Sequence, residues 1–254
     1  MTYTTDTATI SYELVHEEKR GDHIPLLFLH SALGTRREFD RLKEYYPDRM
    51  LILPDLPSHG ESTTTLHAIT MHDLAMWMRR LVIEHLKIPT VDIIGYSMGG
   101  YVAITLALQE PRLVRSIVSH AMKFYWTQTA ISEALAGLDA DAIKARSEKA
   151  YAALSAIHEP NDLHRTAALA SSVIRSFAQK QLTEEDVKKL ECPLLVSVGD
   201  NDTMVTPEEV TRLYGALARE KAYLAIHPNS PHQISKLDLG SFTFSNRLVF
   251  GGER

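Results

Sequence analysis

A single cysteine, Cys192, stands among 254 residues, so an internal disulfide is excluded. That fits a reducing compartment, although chains without disulfides are also exported. Long apolar runs are missing too: nothing approaches the roughly 18 consecutive apolar residues of a membrane span. The opening residues MTYTTDTATI carry neither a basic nor an apolar leader segment, and the expectation is a cytoplasmic chain. No tract of five or six like charges occurs, and Lys+Arg 27 against Asp+Glu 32 leaves a net −5. A nucleic-acid binder would need a basic stripe instead. No histidine pair has metal-site company such as H-E-x-x-H, so neither a metal nor another cofactor is expected. Internal repeats and low-complexity segments are absent. Asn201-Asp202-Thr203 matches a glycosylation sequon, which without secretion reads as chance.

What is present is material for a core, with 44% apolar residues. Short runs apolar on both faces occur at Ile24–His30, Met50–Leu53, Val91–Gly95, Val114–Ser119 and Pro193–Val198. Parallel strands covered by helices on both sides of a sheet read this way. Ala8–Val15 reads as an antiparallel strand ahead of them. Helical patterns lie between the runs. Thr70 and Asp73 have capping-box spacing, followed by a stripe of Leu74, Trp77, Met78, Leu81 and His85. Thr206-Pro207-Glu208-Glu209 supplies an N-cap, an N1 proline and two carboxylates for another helix, with Val210, Leu213, Tyr214 and Leu217 as its apolar stripe. The fold class predicted is α/β, a doubly wound, mostly parallel sheet. Residues 121–190 break the alternation. Leu163, Ala167, Ala170, Ile174 and Phe177 mark one helical face, and Ile143, Ala150, Leu154 and Ile157 a second. This predicts a helical lid inserted before the next strand, with a core formed by 1–120 and 191–254.

Gly95-Tyr96-Ser97-Met98-Gly99-Gly100 joins the run VDIIG to an Ala/Leu-rich helical stretch. A serine flanked by glycines at −2 and +2 on a strand-to-helix turn has the pattern of a nucleophile elbow. The turn is tight, so only small residues fit beside the serine. A serine hydroxyl needs a base to attack at neutral pH. Gly199-Asp200-Asn201-Asp202 ends a predicted strand and offers two aspartates as its partner acid. His232, in Asn229-Ser230-Pro231-His232-Gln233, is the base candidate. His227 is less well placed, and His158 and His164 are expected to face solvent from the helical segment.

The pieces LLFLHSALG, LPDLPSHGES, GYSMGG, VGDNDTMVTP and NSPH span nearly the whole chain. Together they resemble the α/β-hydrolase family, in its single-domain group with a helical cap. The resemblance implies Ser97 as nucleophile, Asp202 as the acid and His232 as the base. Asp200 would then serve the turn's backbone, and His30 and His59 would organise loops. It also implies an oxyanion hole made by the backbone N–H groups of Ala32 and Met98. The family's usual His-Gly is His30-Ser31 here, so the Ser31 hydroxyl adds a donor or reshapes the pocket. Phe124, Tyr125 and Trp126 either line an acyl pocket or seat the lid. Cys192 reads as a small apolar filler.

The function implied is cleavage of a small or medium carboxylic ester through an acyl-enzyme. The same three residues serve C–C bond hydrolases, perhydrolases and lyases in related proteins, and a binding protein on this fold is a third reading. The partner implied is a small-molecule substrate, with association into a homo-oligomer left open.

Overall fold

The computed structural model describes residues 1–251. Among the described residues nine strands run β1 (Thr2–Thr4), β2 (Ala8–Val15), β3 (Leu26–Leu29), β4 (Leu51–Pro54), β5 (Thr63–Thr64), β6 (Val91–Tyr96), β7 (Val114–His120), β8 (Leu194–Gly199) and β9 (Ala222–His227). The sheet order is β1-β2-β4-β3-β6-β7-β8-β9, with β5 paired to β2. From β4 onward every pairing is parallel, while β2 meets β1, β4 and β5 antiparallel. This is the doubly wound, mostly parallel sheet expected. The short strands β1 and β5 escaped the sequence because threonine-rich stretches at a sheet edge lack an apolar signature.

Strands β3, β4, β6 and β8 are buried along their whole length. Alternate residues feed two cores. Leu27, Leu29, Ile52 and Ile93 pack on one face with helices α1 (Met71–Arg79), α2 (Met98–Gln109) and α8 (Pro207–Ala216). Leu26, Phe28, Leu51 and Leu53 pack on the other with α9 (Leu239–Phe250) and Phe39. The capping box Thr70/Asp73 closes at both ends, and Thr206 caps α8 with Pro207 at its first turn. Leu74, Trp77, Met78 and Leu81 are buried as their spacing predicts, but His85 is exposed and bonds Tyr12. The helix widens to a π turn over Arg80–His85, which rotates His85 off the stripe.

Between β7 and β8 the chain forms α3 (Gln128–Leu138), α4 (Ala140–Arg146), α5 (Glu148–His158), α6 (Leu163–Ser176) and α7 (Glu184–Val187). Thr127, Asp139, Ser147 and Asp162 each cap a helix start with a side-chain oxygen, which explains why the segment breaks where it does. The face Leu163, Ala167, Ala170, Ile174 and Phe177 is buried throughout. The second predicted face is corrected. Extended backbone at Ser147 separates Ile143 from Ala150, Leu154 and Ile157, and only Ile143 is buried.

His158 is also corrected: it is 0% exposed rather than solvent-facing. Its Nδ1 accepts from the Gly60 N–H at 2.9 Å, and its Nε2 donates to the Leu33 carbonyl at 3.1 Å. Asn161 donates to the Gly60 and Ser62 carbonyls, Arg165 to those of Thr64 and Leu66, and Thr166 to that of Ser58. The α5–α6 corner is therefore tied to the loop after β4 by side chains reaching backbone. His164, by contrast, is exposed as expected.

Burial lowers the pKa of His30 and of His120 to about 3, and pushes His59, His158 and His227 in the same direction. A ring held neutral in the fold, yet protonating near 6.5 when unfolded, contributes stability above that pH and loses it as pH falls toward the folded value. Burial raises the carboxyls of Glu38 and Asp55, which act the opposite way at lower pH. Each such histidine removes up to about 1.4 kcal/mol per pH unit. Thermal melts of the wild type should therefore show Tm falling from pH 7.5 to 5.0, with a shallower fall in His158→Gln. A Tm independent of pH over that range contradicts this account.

Candidate active site

The carboxyl edge of the parallel strands gathers the candidate residues, as open α/β sheets do. Ser97 follows β6 directly and has φ 52° and ψ −115°, a left-handed conformation that a serine rarely adopts. The strain is held by tight packing. A Cβ on Gly95 would stand 2.5 Å from the Gly99 carbonyl oxygen, and one on Gly99 would overlap the Leu29 carbonyl of β3. The Ser97 N–H donates to the His120 carbonyl at 2.9 Å, which pins the turn to β7.

Asp202 lies just past β8 and His232 past β9. The His232 Nδ1 donates to Asp202 Oδ2 at 2.8 Å, while Asp202 Oδ1 accepts the Met204 N–H at 2.8 Å and the Val205 N–H at 2.9 Å. Burial works to raise the Asp202 pKa. The His232 ring and the two amides outweigh it, so the carboxyl stays below the usual range. The carboxylate orients the ring with Nε2 as the unprotonated nitrogen. Tyr96 donates its hydroxyl to the His232 carbonyl at 3.0 Å, steadying the loop. Asp200 takes the turn role expected of it, accepting the Ser230 N–H at 3.1 Å.

The loop after β3 carries the predicted anion donors. The Ser31 carbonyl accepts from His30 Nδ1 at 2.8 Å and from the Gly34 N–H at 3.1 Å. Among the described residues the N–H groups of Ala32 and Met98 have no hydrogen-bond partner. Ser31 takes no left-handed φ, so its Cβ meets no conformational penalty. Its hydroxyl is already committed, donating to Glu38 Oε1 at 2.7 Å. Glu38 went unmarked in the sequence, since an acid seven residues from Ser31 has no pattern to signal it.

Ser97, His232, Ser31, Ala32, Met98 and Trp126 all line one cavity of about 490 Å³. No hydrogen bond joins the Ser97 hydroxyl to the His232 ring among the described residues. In unliganded sites that contact commonly tightens only with substrate bound. Phe124 and Tyr125 lie outside the cavity wall. Phe124 is buried against Tyr101, and Tyr125 donates its hydroxyl to Glu184 at 2.8 Å beneath the Arg212 guanidinium. These two seat the helical segment. Cys192 is buried, and burial pushes its thiol up to about 11, consistent with an inert filler. Among the described residues no group of three or more His, Cys, Asp or Glu is placed to hold a metal ion, and no helix is long and apolar enough to cross a membrane.

Residues 24–141 match the sequence model described as the alpha/beta hydrolase fold, and residues 90–233 that of the X-Pro dipeptidyl-peptidase (S15) family. The chain belongs to the α/β-hydrolase superfamily. Two curated relatives of this α/β-hydrolase illustrate the range. It is 33% identical over 86 residues to a Haemophilus influenzae protein named provisionally as 2-succinyl-6-hydroxy-2,4-cyclohexadiene-1-carboxylate synthase, covering 34% of each chain. It is 34% identical over 122 residues to the Xenopus laevis sn-1-specific diacylglycerol lipase ABHD11, covering 46% of this chain and 38% of that one. The matched stretches thus span little more than a third of those relatives. A thermophilic esterase from Thermogutta terrifontis shares the fold with TM-score 0.77 at 20% identity, over 98% of this chain and 96% of that one. The family fixes the fold; the reaction does not follow from it.

Gly99→Ala should distort the elbow of this α/β-hydrolase, because the added methyl meets backbone that cannot yield. The expected result is a Tm lower by several degrees. Gly137→Ala in α3, where a Cβ meets nothing within 4 Å, should instead stabilise by about 0.5–1 kcal/mol. Equal Tm values for the two variants contradict the packing argument.

Proposed function

We propose that the chain is a serine hydrolase cleaving a small or medium carboxylic ester, with Ser97 as nucleophile, His232 as base and Asp202 as its orienting acid. The observation that carries this reading is the 2.8 Å bond between His232 and Asp202, beside a cavity that also holds the Ser97 turn. His232 Nε2 takes the hydroxyl proton as Ser97 Oγ attacks the carbonyl carbon. The resulting oxyanion sits against the Ala32 and Met98 N–H groups. Collapse expels the alcohol, which receives the proton from His232. Water, deprotonated by the same ring, then releases the acid and regenerates Ser97. Asp202 holds the ring in the tautomer this cycle requires and stabilises the imidazolium.

The cavity wall favours an uncharged acyl group. Its one lysine, Lys123, is paired with Glu209 at 2.6 Å, and Met71, Trp126, Ala134, Leu138 and Ile174 supply apolar surface. Among the described residues no unpaired lysine or arginine on this wall would receive a substrate carboxylate. We take residues 121–190 to act as the cap over this site, and the buried single cysteine to fit a cytoplasmic setting.

Ser97→Ala should abolish hydrolysis of p-nitrophenyl acetate, butyrate and octanoate and labelling by a fluorophosphonate. Asp202→Asn should lower kcat by about 10⁴-fold, the loss typical when the ring adopts the wrong tautomer. Running a vinylogous diketone and an X-Pro p-nitroanilide beside the esters tests carbon–carbon and amide bonds. Turnover that survives in Ser97→Ala, or a preference for either of those substrates over every ester, overturns the proposal.

A further inference from the structure

Glu38 carries a carboxylate that bonds a residue of the cavity wall, Ser31, and that the cycle above does not use. Its Oε2 accepts the Ser31 backbone N–H at 2.9 Å, and its Oε1 accepts the Ser31 hydroxyl at 2.7 Å. The carboxyl group is packed against Gly34, where a Cβ would stand 2.5 Å from Glu38 Cδ and push the carboxyl from its place. Phe39, the next residue, is fully buried in the core, and Thr35 caps the turn that carries both. The carboxylate therefore comes from a fixed element, not from a loop free to drift.

We propose that Glu38 is a positioning residue for the anion-binding loop: it grips Ser31 by main chain and side chain at once and so holds the Ala32 N–H toward the cavity. In a trans peptide the carbonyl and the following N–H point in opposite directions. The carbonyl of the Ser31–Ala32 peptide is held from one side by the His30 ring and the Gly34 N–H. Its N–H, on Ala32, must then face the other way, and Ala32 lines the cavity. What remains free is rotation of the preceding peptide about Ser31, and the two bonds to Glu38 remove it. The serine at position 31 is thereby explained. Its hydroxyl is the second handle for the carboxylate, and it is not an additional donor to substrate. Burial raises the Glu38 pKa while both Ser31 bonds and the nearby His232 ring oppose the rise, as expected of an acceptor enclosed beside the site.

This inference rests on the serine-hydrolase reading, and its test separates the two. Glu38→Ala removes both bonds. The expected outcome is a kcat for p-nitrophenyl butyrate lower by about 10- to 100-fold, with KM within about 3-fold, because only the developing oxyanion needs the displaced donor. The inhibition constant of a trifluoromethyl ketone, whose tetrahedral adduct places an oxyanion in the same spot, should weaken by the same factor as kcat/KM. Glu38→Gln, whose amide can accept from the N–H and donate to the hydroxyl, should recover most of kcat. Should Glu38→Ala fail to fold, Ser31→Ala deletes the hydroxyl bond alone and should show the same split at about 3- to 10-fold. A folded Glu38→Ala with wild-type kcat overturns the proposal while leaving the serine-hydrolase reading intact. So does a kcat loss without matching loss of ketone affinity, or an unchanged kcat in Ser31→Ala. A wild type that neither hydrolyses the ester nor is labelled at Ser97 by a fluorophosphonate removes both.

Discussion

The contact on which the site depends is the approach of the α2 N-terminus to the end of β3. Gly99 lies so close to the Leu29 carbonyl that no side chain fits between them. That contact brings two turns together. One is the strained turn at Ser97, which leaves the Met98 N–H unpaired at a helix start. The other is the loop His30–Leu33, which leaves the Ala32 N–H unpaired. Both residues line the one cavity, and the touching backbones set their two turns side by side. The strain at Ser97 is supported by the same contact and by the bond to the His120 carbonyl.

Around this contact the protein spends its buried polar groups on loops. His30 receives the Leu56 N–H at 2.8 Å with one ring nitrogen and serves the Ser31 carbonyl with the other. Asp55 accepts from the Arg36 and Glu61 backbone N–H groups and pairs with the Arg36 guanidinium. His158 comes from the helical segment to close the Gly60 and Leu33 backbone groups. The loops after β3 and β4 are therefore joined to each other and to the α5–α6 corner by side chains that complete hydrogen bonds no strand supplies. On the other side of the cavity, α3 contributes Ala130, Ala134 and Leu138 to the wall. Asp202, His232 and Tyr96 form a second assembly of the same kind, in which a carboxylate, a ring and a hydroxyl fix one loop.

Much of this was legible in the chain itself. The strands β2, β3, β4 and β6 to β8 announce themselves as apolar runs. Capping residues mark the starts of α1 and α8, and the glycine spacing about Ser97 allows one turn geometry. These features are local: a few adjacent residues determine the backbone they adopt, and the physics is complete within a turn of helix or a stretch of strand. Which aspartate meets His232 was not local. Asp200 and Asp202 are two residues apart with the same chemistry, and only the resemblance to known hydrolases favoured Asp202.

The tertiary structure alone decided the rest. It set which aspartate meets His232, that Trp126 reaches the cavity while Phe124 and Tyr125 pack beneath it, that His158 is buried, and that Glu38 closes on Ser31. Each is a contact between residues whose separation in sequence carries no period, or one in which competing neighbours have equal claim. Burial and hydrogen bonding of a side chain depend on what the rest of the fold leaves open beside it. The chain by itself determined the sheet, its cover of helices and a serine on a strained turn. The folded molecule determined which distant groups share a cavity with that serine.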